Sequence, residues 1–426
     1  LGQVQFEAKS KMAQGDRAST YRLITGGLCG LAVAMGIARF AYTPILPLMQ
    51  SEFAFGDDLA GMLASANYAG YLLGALISAR ICSRPFRLQI FRMCLIASVA
   101  TTAGMAMAHW EWAWFGLRFL SGAATAGVFV LGSAMVLGSL QAMGARGLAG
   151  WLFSGVGLGI ALTGAAVPPL GESFGSQVAW LGMGVISLPL LLFCWLWLKD
   201  RHFSRPKASR FKGSFHWKGR PLLLWLTAAY FCAGLGYIVS GTFLVSIVED
   251  FSSSASLANS AWVLTGAAAG VSAVIWSFIG QKIGLVPALA AAHLVQAGGI
   301  LLPALSVSWI AALTGALLFG GTLTGIVALS MSLGNSLAPP GQGGMVMGLL
   351  TAAFGSGQIL GPALAGHLAV ATGDFGLPLI AASAIVALGG LMLYGAWRRF
   401  NHVQPNALAG QVNIRINHRS ISSGRF

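Results

Sequence analysis

The chain has 426 residues, of which 56% are hydrophobic and only 8% charged. A soluble domain carries roughly 25% charged residues, so this chain cannot cover itself for life in water. Its net charge of +14 comes from 25 Lys and Arg against 11 Asp and Glu, but long uncharged runs separate the bases, which argues against a basic nucleic-acid-binding fold.

Residues 1–21 are polar, lack the cleavage pattern of a signal peptide and are predicted to form a disordered cytoplasmic tail. Apolar segments long enough to cross a bilayer as helices, which takes about 20 residues, follow at 22–49, 60–79, 88–108, 113–138, 148–170 and 178–198. A polar, basic stretch at 199–221 interrupts them. Six more follow at 222–248, 258–279, 286–305, 309–333, 344–371 and 376–397, and residues 401–426 form a second predicted tail. Residues 283–373 contain no Asp, Glu, Lys or Arg, so only Pro303–Trp309 and Asn335–Gly344 offer breaks there. The segments are too long for barrel strands and do not alternate. The expected fold is all-α: a polytopic membrane protein of twelve transmembrane helices.

The positive-inside rule tests this map. With a cytoplasmic N-terminus, 23 of the 25 bases fall on the cytoplasmic side. The outer loops hold no Lys or Arg but carry Glu52, Asp57, Asp58, Glu111, Glu172, Glu249, Asp250 and Asp374. One misplaced span would scramble this partition for everything after it. The location expected is the cytoplasmic (inner) membrane, with both termini inside.

The 199–221 stretch divides the chain into bundles at 22–198 and 222–400. It is either a solvated cytoplasmic linker or a binder of lipid headgroups. The halves resemble each other: Gly36 and Glu52 recur as Gly234 and Asp250, Gly70 and Gly74 as Gly266 and Gly270, and Gly155 and Gly157 as Gly355 and Gly357. Duplication predicts two six-helix bundles related by pseudo-two-fold symmetry, with a binding site at their interface.

Several motifs resemble those of the major facilitator superfamily, and the resemblance covers roughly 22–400. Arg118-Phe-Leu-Ser-Gly122 is similar to its fourth-helix RxxxG motif. Gly155, Gly157, Gly159, Gly164 and Pro168 resemble its helix-bending glycine series, echoed by Gly355, Gly357, Gly361, Pro362 and Gly366. The loop motif between helices two and three keeps only its basic character, in Arg80, Arg84 and Arg87. Its second-half counterpart carries Gln281 where the pattern has Asp. The block MGIARFAYTPILPLM (35–49) resembles the opening helix of the YbfB/YjiJ-type branch. The resemblance implies a secondary transporter.

Two bases remain inside the spans, Arg39 and Arg118, and no acid accompanies them. Arginine at bilayer depth costs at least ~2.5–3.5 kcal/mol unless it faces a cavity or partner, and it cannot deprotonate. Either could hold a substrate carboxylate through its guanidinium fork. For Arg39 the competing role is a structural bond to carbonyls near Pro44; for Arg118 it is helix packing, proton coupling or snorkelling. Tyr42 shares the helix face of Arg39, and Tyr237 is its counterpart in the second half. Asn67, Tyr71, Tyr230, Ser240 and Gln358 are further cavity candidates, with interhelical hydrogen bonding as the alternative. Base rates put most Trp and Phe against lipid.

No P-loop is present, so energy would come from an ion gradient. Glu52 and its counterpart Asp250, together with His293 and His367, are the candidates for coupling or gating. The five cysteines show no metal or disulfide pattern, and no HExxH or GxSxG motif points to an enzyme. The expected function is secondary transport of a small organic solute, an anion being the sharpest version, with protons as the expected coupling ion. The alternatives are efflux of amphipathic compounds or, in a different class, a membrane-embedded sensor or enzyme. Expected partners are membrane lipids, the substrate and protons, with no cofactor, metal or nucleic acid, and a monomer is expected.

Overall fold

A computed structural model of the chain describes residues 19–82, 85–145, 148–199, 221–306, 308–338 and 342–403. The predicted tails and basic linker lie almost entirely outside these residues, as do Arg84 and Arg146. Among the described residues the fold is all-helical, with eleven helices long and apolar enough to cross a membrane. In chain order they are α1 (Ser19–Phe53), α2 (Asp57–Ile81), α3 (Arg87–Met107), α4 (Glu111–Ala142), α5 (Ala149–Trp197) and α6 (Pro221–Ser252). The remainder are α7 (Ala255–Ile283), α8 (Leu285–Leu305), α9 (Trp309–Leu337), α10 (Gly343–Thr372) and α11 (Gly376–Phe400).

The difference between twelve expected helices and eleven observed lies in α5. At 49 residues it would be over 70 Å long at about 1.5 Å per residue, more than twice a ~30 Å hydrocarbon core. It is not one rod. Gly175 has φ 86 and ψ 175, outside any helical geometry, so two helical arms meet there. The predicted spans 148–170 and 178–198 correspond to those arms. Gly373, which ends α10 before α11, also has a positive φ of 84, and it lies 198 positions after Gly175.

That spacing recurs at several close approaches between helices. Thr43 donates a 2.6 Å hydrogen bond to the carbonyl of Gly241, 198 positions away. A Cβ on Gly122 of α4 would strike the Asn67 carbonyl of α2, and one on Gly320 of α9 would strike the Thr265 carbonyl of α7. Each member of the second pair again stands 198 positions after its counterpart. Gly61 of α2 packs on Pro362 of α10, while Gly164 of α5 packs on Asn259 of α7, the same relation with the halves exchanged.

Three sets of contacts join the first half to the second: α2 with α10, α5 with α7, and the Tyr42–Phe53 portion of α1 with α6. The glycines at the first two seams let the helices approach closely, as small residues do where apolar burial gives little drive against lipid. Glu52, Asp57, Asp58, Glu111, Glu172, Glu249, Asp250 and Asp374 gather at one end of the bundle, the acidic end. Arg22, Arg80, Arg87, Arg92, Lys199, Lys282, Arg398 and Arg399 gather at the other, the basic end. The halves meet at the acidic end through Thr43–Gly241, Gly61–Pro362 and Asp57–Gly366. At the basic end, among the described residues, no extensive contact joins α4 to α9 or α10.

One irregularity lies within α1. Ala32–Ala38 is a π-helix, a form that is rare and concentrated at functional sites. It ends immediately before Arg39. Inside it, Gly36 meets the backbone of Gly159 in α5, with no room for a Cβ. Gly36→Val should therefore destabilise the protein by about 1–3 kcal/mol, the usual range for overpacking. Gly321→Val, at a position where a Cβ meets nothing within 4 Å, should change the thermal unfolding midpoint in detergent far less.

Candidate functional site

A cavity with about 100 Å³ of free volume occupies the centre of the molecule between the halves. Arg39 and Phe40 bound it at mid-depth, and Phe153, Met331 and Thr351 bound it toward the basic end. Helical periodicity explains which residues reach it. Met35 and Arg39 stand four apart on α1, Tyr230 and Tyr237 seven apart on α6, and Thr351, Phe354 and Gln358 follow at three and four on α10. Such spacings put side chains on one helix face.

Arg39 is buried, at 2% exposure. Its guanidinium carbon lies 4.3 Å from the ring centre of Tyr71 and 4.6 Å from that of Tyr68. These ring faces carry negative potential and attract the cation. The Tyr68 and Tyr71 hydroxyls come within hydrogen-bonding reach of the guanidinium, but Nε and one terminal nitrogen have no hydrogen bond of good geometry. The other terminal nitrogen makes only a 3.9 Å contact with the sulfur of Met35. Among the described residues, no carboxylate lines the cavity. The expected alternative, bonds to carbonyls near Pro44, is not what these contacts describe.

Opposite Arg39, the Gln358 amide donates to the Tyr237 hydroxyl, and the Gln358 carbonyl oxygen is buried without a partner. Tyr230 stacks on Phe354 at 4.3 Å between ring centres, and Phe354 stacks on Tyr237 at 5.3 Å. Of the sequence candidates, Arg39, Tyr71, Tyr230, Tyr237 and Gln358 line this one space.

Tyr42, Asn67, Arg118 and Ser240 are buried but do not line it. Arg118 is as buried as Arg39, at 2%, yet it lies inside the first half with its guanidinium 4.4 Å from the Tyr42 ring centre. The Tyr42 hydroxyl donates to the carbonyl of Ala60, and Asn67 donates to the carbonyl of Arg118, each at 2.9 Å. These contacts tie α1, α2 and α4 together. The helix-bending series likewise forms seams: Gly155 and Gly159 pack on α1, Gly157 and Gly164 on α7, and Gly357 and Gly361 on α6.

The coupling candidates are dispersed. Glu52 accepts from the Ser176 amide at 2.6 Å and from the Ser176 hydroxyl. It thereby caps the arm that starts after Gly175, with a negative charge at a helix N-terminus where the dipole favours it. It is bonded to neither arginine. Asp250 lines a cleft of about 360 Å³ at the acidic end with Gln50, Asp57, Ser246 and Glu249. His293 is fully buried beside Gly390, its Nδ1 2.8 Å from the Leu289 carbonyl, and His367 is exposed on the outer surface of α10.

Sequence reasoning missed Phe129, Phe153 and Phe354 as lining residues, because base rates assign such rings to lipid. The available signal was positional: Phe354 shares a helix face with Gln358 and adjoins Gly355 of the bending series.

The opposed roles of the two arginines give a direct test. Arg118→Ala and Tyr42→Leu should each lower unfolding stability, and the double variant should lose about 0.5–2 kcal/mol less than the sum, the coupling expected of a buried cation–π pair. Thermal or denaturant unfolding of the four proteins measures it; full additivity would contradict the contact.

Comparison with known proteins gives a consistent result. A family model described as "Uncharacterised MFS-type transporter YbfB" matches residues 31–394. An "Uncharacterized MFS-type transporter" of Yersinia pestis (strain Pestoides F) is 30% identical over 188 residues, 42% of this chain and 47% of the relative. The matched region thus spans about half the length of that relative. The "Uncharacterized MFS-type transporter YceJ" of Bacillus subtilis (strain 168) is 25% identical over 358 residues, 80% of this chain and 88% of the relative. Among solved structures, a bacterial homologue of the human lysosomal transporter Spinster, inward-facing and occupied, superposes with a TM-score of 0.67 at 16% identity, covering 90% of this chain and 97% of that one. The nucleoside transporter NupG gives a TM-score of 0.67 at 13% identity, over 89% and 99% of the two chains. At these identities the likeness is one of fold.

Proposed function

The chain belongs to this family of MFS-type membrane transporters, and from that premise we propose that it carries a small organic anion across the cytoplasmic membrane by alternating access. The observation that carries the reading is Arg39: a permanent cation at mid-depth, lining the central cavity, with unpartnered donors and no carboxylate among the described lining residues. Burying such a charge is costly, and a bound carboxylate would offset the cost through charge-assisted hydrogen bonds.

Twelve passes in two six-helix repeats account for the recurring 198-position spacing. On this reading Gly175 and Gly373 are equivalent turns, and the two arms of α5 are helices five and six. The positive-inside rule makes the basic end cytoplasmic and the acidic end external, with both termini inside. The observed packing then corresponds to a form closed outside and loosened inside. A rocking motion of the halves would exchange this form for its opposite.

Arg39→Ala should abolish carboxylate binding and uptake into proteoliposomes while the protein remains monodisperse on size exclusion. Unchanged uptake would overturn the reading. The aromatic lining favours one alternative, efflux of amphipathic compounds. A transporter of amphipathic cations would keep its activity in Arg39→Ala.

Proton coupling is assigned to the acidic end, because no carboxylate among the described residues lines the cavity. Closure there gathers Asp57 of α2 with Glu249 and Asp250 of α6, and Glu172 of α5 adds to the field at Glu249. Burial, and second to it the like charges of their neighbours, raises the Glu249 and Asp250 carboxyls above the ordinary range, so external acid would promote closure. In the wild type, uptake should rise as external pH falls through about 6 to 4, the carboxylate range. The double variant Glu249→Gln, Asp250→Asn should show a flattened profile. A profile identical to wild type would remove these acids from the coupling step.

A further inference from the structure

The cavity is more specific than a pocket for anions in general, and the rings that line it bear on the class of anion. Tyr230, Phe354, Tyr237 and Phe319, from α6, α10 and α9, form a column of nearly parallel rings, of which the first three line the cavity. Successive centroids lie 4.3, 5.3 and 6.4 Å apart, with interplanar angles of 17, 11 and 22°. Across the cavity Tyr71 and Phe129 are 6.5 Å apart at 53°, and Phe129 and Phe153 are 6.2 Å apart at 50°. Two aromatic walls from opposite halves therefore face one space.

An apolar wall of leucines would accept any hydrophobic body. Aromatic walls add a preference, because the ring quadrupole favours offset-stacked or edge-to-face neighbours at ~4.5–7 Å between centres. A planar ring meets that geometry from either wall, and a saturated ring does not.

The polar groups restrict the ligand further. Arg39 carries a guanidinium whose Nε and one terminal nitrogen are covered and lack a well-formed partner, so a turn of the side chain off the Tyr68 and Tyr71 rings would offer a ligand a fork suited to one carboxylate. Among the described residues, no Lys, His or second Arg lines the cavity. A second ionised group on the ligand would be buried without a counter-charge, which is strongly disfavoured.

We propose that the transported anion is a planar aromatic monocarboxylate, its carboxylate on Arg39 and its ring between the Tyr230–Phe354–Tyr237 column and Phe129. The proposal rests on the reading that this cavity binds an organic anion. It makes Phe354 a specificity-determining residue through the ring edge that lines the cavity, since both its faces are covered by tyrosines.

The test is isothermal titration calorimetry on the full chain in detergent with benzoate, cyclohexanecarboxylate and terephthalate. In the wild type, benzoate should bind roughly tenfold more tightly than cyclohexanecarboxylate, as an aromatic contact beyond simple burial predicts, and more tightly than terephthalate. Phe354→Leu should bring benzoate close to cyclohexanecarboxylate while leaving the latter bound. Arg39→Gln should abolish binding of both, and an unchanged far-UV circular dichroism spectrum and elution volume would show that this variant folds. Equal binding of benzoate and cyclohexanecarboxylate, both dependent on Arg39, would overturn the aromatic class and leave the anion reading standing. Carboxylate binding indifferent to Arg39, or no carboxylate binding at all, would overturn both.

Discussion

A guanidinium that cannot lose its proton, held at bilayer depth without a carboxylate, constrains everything around Arg39. Its cost is at least ~2.5–3.5 kcal/mol, and desolvated cation–π contacts return about 2 kcal/mol or more. The rings of Tyr68 and Tyr71 supply those contacts at 4.6 and 4.3 Å. Ring faces stabilise the cation without giving its Nε and one terminal nitrogen a well-formed hydrogen bond, so an anion there would add to its stabilisation. Arg118 shares that combination, its Nε also buried without a partner, so what sets Arg39 apart is its place in the cavity lining. A carboxylate from the protein itself would have stabilised Arg39 more and left nothing for a ligand.

Arg118 shows the contrast within the same molecule. It has the same burial and also lies against a tyrosine ring, but its neighbours belong to the first half alone and the central cavity does not reach it. One arginine holds three helices together and the other faces the space between the halves. The π-helical segment Ala32–Ala38 sharpens the difference, because it ends at Arg39 and alters the angular position of every later residue on α1. The tight Gly36–Gly159 seam holds that irregular segment against α5.

Much of the fold was legible in the sequence because membrane insertion acts on quantities that sequence displays directly. Span length follows bilayer thickness, and orientation follows where Lys and Arg fall. The segregation of Glu52, Asp57, Glu249 and Asp250 from Arg80, Lys282 and Arg398 was therefore readable before any contact was known. The break at Gly175 was readable only in part: spans 148–170 and 178–198 were separable, but the turn joining them is so short that the arms run on as one helical element. The repeat was detectable in scattered glycines, yet its constant 198-position spacing became clear only through contacts such as Thr43–Gly241. Matching residue types in a Gly-rich chain is degenerate, whereas matching contacts is not.

The candidate site divided along the same line. Arg39 stood out by elimination, since an unpaired charge in an apolar run is costly wherever it sits. Phe129, Phe153 and Phe354 did not stand out, because an aromatic ring is equally content against lipid, another helix or a ligand. Composition by itself determined that the chain spans a membrane many times, and charge order predicted which helix ends share a side, since hydrophobic length and loop charge are local properties. Only the tertiary structure decided which of two equally buried arginines faces a cavity, that Glu52 caps a helix at Ser176 and pairs with neither arginine, and that four rings from three helices stack into one column. Those outcomes depend on the rotation of each helix about its axis, which is set by packing against neighbours distant in sequence.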